Sequence, residues 1–446
     1  MTRALAAALL ICAAAVSTAQ PPPGSPRERA GIGAPVPELP PSSSLTPAQQ
    51  AARIQEWRAQ IRHQLYVPDT LPPLEAHTWS SFSPVSGVIA ERVTYQTSAG
   101  MLVPAIVYRP EHITGKLPGI VVVNGHGGDK TSWYAFYSGM LFARAGAMVV
   151  TYDPIGEAER NIDKKSRTGA HDKIVPPPPG VSETDWGQRL AGLMQIDLMQ
   201  AVSYLISRPE VDPRRIAVVG YSMGSFIAGI AGAIDNRIHA VLLSGGGVYD
   251  GPNGYFDMNP LPCQSPPYHS LSVLGDRGAV LYALNGGPML IMNGDADTVM
   301  DMAHHPPAWF DSVRARAIAL RGTDANIFTT ILYPGVSHRT SWVTRDGVAW
   351  LNQQIHFANW NAATIASAPT THISTWARAN NVDITPSYIR EDREGGLDAL
   401  GTGLPGIPRE DLMALPPSEW EKNKDRLTYE AWAQKTMAAQ QAAASH

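Results

Sequence analysis

With 446 residues, the chain has room for one large domain with additions or for two ordinary domains. A hydrophobic share of 44% and a rather low charged share of 17% are those of a soluble globular protein. The net charge of −4 is small and no long basic run occurs, so nucleic acid is not an expected partner.

The chain opens with Met1-Thr2-Arg3, an apolar stretch from Ala4 to Val16, and small residues ending at Ala19. These are the parts of a secretory signal, and the apolar stretch is too short for a permanent membrane span. The expectation is a signal peptide over 1–19, cleaved after Ala19, and export to the periplasm or the medium. No small residue precedes Cys12, so a lipid anchor is not expected. Loss of Cys12 leaves Cys263 without a partner for an intramolecular disulfide. Cys263 reads as a plain buried or loop cysteine.

Residues 20–45 are dense in proline, glycine and serine and read as a flexible leader. Thr46-Pro47-Ala48-Gln49 then offers an N-cap, a first-turn proline and a capping-box glutamine. The helix it opens carries Ile54, Trp57, Ile61 and Leu65 on one face, and 46–87 is taken as this helix and a connection. Glu91–Gln96 and Leu102–Tyr108 flank Ser98-Ala99-Gly100 as a hairpin.

From there strands and helices alternate. Strands are expected at Gly119–Asn124, Ala147–Tyr152, Arg215–Gly220, Ala240–Ser244, Met289–Asn293 and Phe328–Tyr333. Helices are expected at Trp133–Arg144, Gln188–Ser207, Ser222–Ala233, Ala308–Leu320 and Gly347–Phe357. The alternation predicts an α/β fold over 88–360, a mostly parallel sheet with helices on both faces. Gly245–Pro288 interrupts it as a lid or pocket wall over the carboxyl edge of the sheet. Residues 361–446 form a C-terminal extension of loops and short helices, ending in a helix near Glu419–Ala444.

The sharpest motif is Gly220-Tyr221-Ser222-Met223-Gly224, set between an apolar strand and a small-residue helix. A serine hydroxyl needs exposure, orientation and a nearby base to act as a nucleophile. A tight strand-to-helix turn between glycines supplies the first two. Base and acid should follow at later strand ends, and Asp297 and His338 stand there in the order Ser, Asp, His. His338 is the expected base and Asp297 the preferred acid, with Asp295 a near rival and Asp250 a distant one. An oxyanion needs two backbone donors. Met223 is the expected first donor, and the glycine-rich loop Asn124-Gly125-His126-Gly127-Gly128 the source of the second. His126 is assigned, with Gly127 next, because the loop can be read in two registers.

Asn124–Lys130, Phe142–Gly146, Asp153–Arg160 and Ser207–Ile216, in this order ahead of the serine turn, resemble bacterial acetyl xylan esterases and dienelactone hydrolase-like esterases of the α/β-hydrolase superfamily. The resemblance covers roughly Val88–Phe357 and implies the α/β-hydrolase fold, a Ser-His-Asp triad and carboxyl-ester hydrolysis without a cofactor. The chain departs from the pattern at Gly156-Glu157-Ala158, where Gly-Gln-Gly is frequent, and at Ser225, where a second glycine is frequent.

Other polar features take plainer readings. His304-His305 lacks further ligands at metal-site spacing, so no metal is expected. His171 reads as a solvated loop residue, and Asp153 and Arg160 as a loop-pinning ion pair. Tyr249, Tyr255, Phe256 and Tyr268 fit equally a stacking surface for a sugar or aryl group and the core of the insertion. The expected substrate is a small-molecule or saccharide ester. A prolyl-oligopeptidase-like peptidase shares the triad order but usually carries a propeller, for which the residues before Val88 are too few. A silent binding protein on the same scaffold would have no need of the serine, acid, histidine and oxyanion loop together.

Overall fold

The computed structural model describes residues 36, 38–166, 182–258, 261, 263–325, 327–339, 342–384 and 397–444. The expected signal segment, Cys12, the leader through Pro35 and His171 lie outside these residues. The tail of the proline-rich leader does not stay free of the body. Leu39 packs on the main core, and Ser42–Ser44 form a short 3-10 turn next to Gly322.

Helix α1, Pro47–Gln64, begins as its sequence requires. The Thr46 side chain accepts from the Gln49 amide, and the Gln49 side chain accepts from the Thr46 amide. Trp57, Ile61 and the following Leu65 bury the face that docks on the domain.

Nine strands form one sheet: β1 His77–Val85, β2 Val88–Gln96, β3 Leu102–Pro110, β4 Leu117–Val123, β5 Met148–Tyr152, β6 Val211–Tyr221, β7 Ala240–Ser244, β8 Met289–Gly294 and β9 Thr329–Tyr333. Their order is β1-β2-β3-β5-β4-β6-β7-β8-β9. Every pair from β5 to β9 is parallel, and β1, β2 and β3 join antiparallel at one edge. β1 is an addition to the expected set, and its mostly exposed residues lack the apolar alternation that marks a half-buried strand.

Helices cover both faces because successive strand residues point to opposite sides. Val121, Val123 and Val218 belong to one core, and Ile120, Val122, Ala217 and Val219 to the other. The first core takes α1 and four further helices: α3 Glu183–Ser207, α4 Met223–Ile234, α6 Arg277–Leu284 and α7 Pro307–Arg321. The second takes α2 Trp133–Ala145 and α8 Arg345–Ile355. By length and composition α3 could cross a membrane, but 83% of its apolar window is buried, as in a core helix.

The insertion after β7 is more deeply packed than a lid. It contains α5, Ser265–Ser270, and α6, which lies between α4 and α7. Tyr249, Tyr255, Phe256 and Tyr268 are all buried around Phe226 of α4, and the Tyr268 hydroxyl donates to the Asp250 carbonyl at 2.6 Å. The four rings form a core, not a stacking surface. Buried Cys263 lies in the same cluster.

The C-terminal extension shares both cores. It comprises α9 Ala362–Ser367, β10 Thr370–His372, α10 Ile373–Ala379, β11 Asp398–Leu400, α11 Pro417–Leu427 and α12 Tyr429–Ala444. Trp376 packs on α2, and Trp432 on Trp186 of α3. The single helix expected near Glu419–Ala444 is two helices parted at Thr428.

Candidate active site

β6 ends at Tyr221 and α4 begins at Met223, which leaves Ser222 on the turn with φ 55° and ψ −117°. A non-glycine residue held there stores about 1–3 kcal/mol of backbone strain, a mark of functional turns. The flanking glycines make the turn possible. A Cβ on Gly224 would lie 2.2 Å from the Val123 carbonyl oxygen, and one on Gly220 would lie 2.2 Å from that of Gly224. The Ser222 amide donates to the Ser244 carbonyl at 2.9 Å, which fixes the turn to β7.

His338 and Asp297 come together beside this turn. His338 Nδ1 lies 2.7 Å from Asp297 Oδ2, and both side chains are buried. A carboxylate only accepts, so the ring hydrogen sits on Nδ1 and Nε2 is left as a base. Asp297 is itself held by the Met300 amide, which donates to its Oδ1 at 2.9 Å. The His338 ring lies 5.0 Å from that of Tyr221, and a Cβ on Gly245 would come within 2.8 Å of its Cε1.

The rival carboxylates are engaged elsewhere. Asp295 Oδ1 accepts the Gly335 amide at 2.7 Å and shapes the turn ahead of His338. Asp250 is buried, accepts the Tyr255 amide at 2.6 Å and lies 3.3 Å from His305 Nε2. His304 is exposed beside Asp301, and among the described residues no group of three or more metal-binding side chains forms.

The loop after β4 closes over the serine. A Cβ on Gly125 would lie 3.3 Å from Ser222 Cβ. The Gly125 amide donates to the Tyr134 hydroxyl at 3.1 Å, and the Gly128 amide to the Gly125 carbonyl at 2.9 Å, which fixes the turn of the loop. His126, assigned from the sequence as the second oxyanion donor, lies in this loop, and Met223, the expected first donor, begins α4.

The charges around Asp153 differ from the expected pairing. Asp153 binds Lys130 Nζ at 2.5 Å, whereas Arg160 pairs with Asp197 and gives Asp153 only a bond to its backbone carbonyl. Lys130, fully buried, also meets Glu159 at 2.7 Å. The Glu159 carboxylate accepts the Ala414 and Leu415 amides, and Arg409 reaches Asp129 at 3.0 Å. The extension is thus tied to the loop beside the serine. Sequence reasoning passed over Lys130, Tyr134, Glu159 and Arg409. The density of charge in Asp153–Arg160 was the available signal, but its partners are remote in sequence.

Burial raises the Asp153 carboxyl to about 7, with Asp129 and Glu159 adding to the rise and Lys130 opposing it. A carboxyl raised from 3.8 holds an extra proton in the folded state between those values, so its contribution to stability falls as pH rises from about 4 to 7. Melting temperatures across that range should therefore fall more steeply in wild type than in Asp153→Asn. Lys130→Met, which strands two buried carboxylates, should cost about 3–5 kcal/mol in denaturant unfolding. A loss under 1 kcal/mol would show that the cluster carries little stability.

A family model described as acetyl xylan esterase matches residues 74–244, and one described as the prolyl oligopeptidase family matches residues 184–364. Ser222 falls in both stretches, Asp297 and His338 in the second. The chain is 28% identical over 221 residues to YuxL of Bacillus subtilis (strain 168), an uncharacterized peptidase, a match covering 47% of this chain and 30% of that protein. It is 25% identical over 152 residues to YtaP of the same organism, described as a hydrolase, covering 30% of this chain and 45% of that one. The matches thus span less than half the length of either curated relative. Among solved structures, Methylesterase BT1017 has a similar fold, with a TM-score of 0.59 at 18% identity, covering 90% of this chain and 78% of that one. That likeness reaches beyond Val88–Phe357, the stretch that the sequence resemblance covers. With a mostly parallel sheet, a serine on the strained strand-to-helix turn and a histidine–carboxylate pair beside it, the chain belongs to the α/β-hydrolase superfamily.

Proposed function

We propose that the protein is an exported serine carboxylesterase that acts on acyl esters, acetylated saccharides among them, through Ser222, His338 and Asp297. The observation that carries this is the buried Asp297–His338 pair set against the nucleophile turn. Ser222 Oγ attacks the ester carbonyl carbon while His338 Nε2 takes its proton. The resulting oxyanion is held by the Met223 and His126 amides. The carbon–oxygen bond to the alcohol breaks, and His338 returns the proton to the departing oxygen. Water then repeats the sequence on the acyl-enzyme and frees the acid. These steps need no cofactor. Export rests on the apolar stretch Ala4–Val16 and the small residues that follow it.

An ester is favoured over a peptide by the acetyl xylan esterase match, which includes the loop over the serine. A peptidase of the prolyl-oligopeptidase type is the second reading, favoured by the match over 184–364 and by YuxL. Purified protein should hydrolyse p-nitrophenyl acetate and be labelled by a fluorophosphonate. A panel of acetyl, feruloyl and methyl-uronate esters, run beside proline-containing peptides, separates the readings. Cleavage of the peptides with no ester turnover would overturn the esterase assignment, and absence of labelling would indicate a silent scaffold.

A further inference from the structure

Gly127, in the loop over Ser222, is among the residues that line a cavity of about 670 Å³, within the size range of small-ligand sites. Gly125, two residues back, packs on Ser222, and two residues reach at most roughly 7 Å. Trp133 and Phe136 close the floor, and the far wall comes from the C-terminal extension, including Asn381, Asp383 and Arg409. Lys165 is exposed on the rim, and Thr131 and Ser166, whose hydroxyls donate to the Asp129 carboxylate, line the same space.

We propose that this cavity is a subsite for the saccharide part of an ester substrate, an inference that rests on the esterase reading above. The carboxamide of Asn381 both donates and accepts, which suits the hydroxyls of a sugar ring, and the aromatic floor suits its C–H face. An aliphatic acyl chain would be poorly served, because the walls present Lys165, Asp383 and Arg409. The extension is held in position to serve as this wall. Arg409 donates to Asp129 at 3.0 Å, and the Asn380 side chain accepts the Gly406 amide at 3.2 Å.

The test compares wild type with Lys165→Trp, which fills the rim, and Asn381→Gly, which removes a carboxamide at a position with φ 53° that glycine adopts freely. Substrates are p-nitrophenyl acetate, an acetylated oligosaccharide and a methyl ester of an oligouronate. The last two place the sugar on the alcohol and the acyl side of the bond. Lys165→Trp should lower kcat/KM at least tenfold, through KM, on whichever saccharide ester the wild type hydrolyses, and leave p-nitrophenyl acetate within twofold. Asn381→Gly should act in the same direction, more weakly. Equal effects on all substrates, or none, would overturn the subsite. A wild type active on p-nitrophenyl acetate but on neither saccharide ester would overturn the saccharide class. A wild type that hydrolyses no ester would overturn the esterase reading and this inference with it.

Discussion

Ser222→Ala is expected to lower kcat for ester hydrolysis by on the order of 10⁴–10⁶, because no acyl-enzyme forms without the hydroxyl. The fold should survive. The side chain is only half buried, and the turn is held by backbone bonds such as that from the Ser222 amide to Ser244. Alanine keeps a Cβ at φ 55°, so the strain of the turn remains in that variant. Ser222→Gly should be equally inactive but more stable than Ser222→Ala, by about 1 kcal/mol, because glycine adopts that φ freely. Steady-state kinetics and thermal melts of the three proteins check both statements. Turnover retained in Ser222→Ala would place the nucleophile elsewhere.

The acid should show the next largest effect. Asp297→Asn is expected to lower kcat about 10⁴-fold, because an amide facing His338 Nδ1 no longer enforces the tautomer that leaves Nε2 basic. Asp295→Asn should change kcat only a few-fold. Its Oδ1 serves to accept the Gly335 amide, and an asparagine carbonyl can do the same. The paired comparison separates the two carboxylates, which stand only one residue apart. If Asp295→Asn proves the inactive variant, His338 takes its orientation from a different group than the one it meets in this structure.

The strands and helices of the central unit were legible because each leaves a local trace. Buried parallel strands read as unbroken apolar runs, as in Ile120–Val123, and α1 is announced by Thr46, Pro47 and Gln49. Strand β1 left no such trace, since its side chains are mostly exposed and its pairing with β2 is a backbone matter. The insertion was legible as an interruption, but not as a core. Whether four aromatic rings face a ligand or Phe226 depends on what packs over them.

For the site the division is similar. A tight strand-to-helix turn is a local object, so Gly220-Tyr221-Ser222-Met223-Gly224 between an apolar run and a small-residue helix sufficed to place Ser222 on such a turn. Chain order alone brought Asp297 and His338 into view, and it left Asp295 and Asp250 as rivals. Only the tertiary structure set Asp297 at 2.7 Å from His338 and turned Asp295 to the Gly335 amide. It alone paired Lys130 with Asp153 and Glu159, and tied Glu159 to Ala414 across some 250 residues of chain. The physical reason is range. Turns, caps and periodicity act over a few residues and are written into the sequence. Buried charges and hydrogen bonds find their partners only when the sheet and its extension close around them.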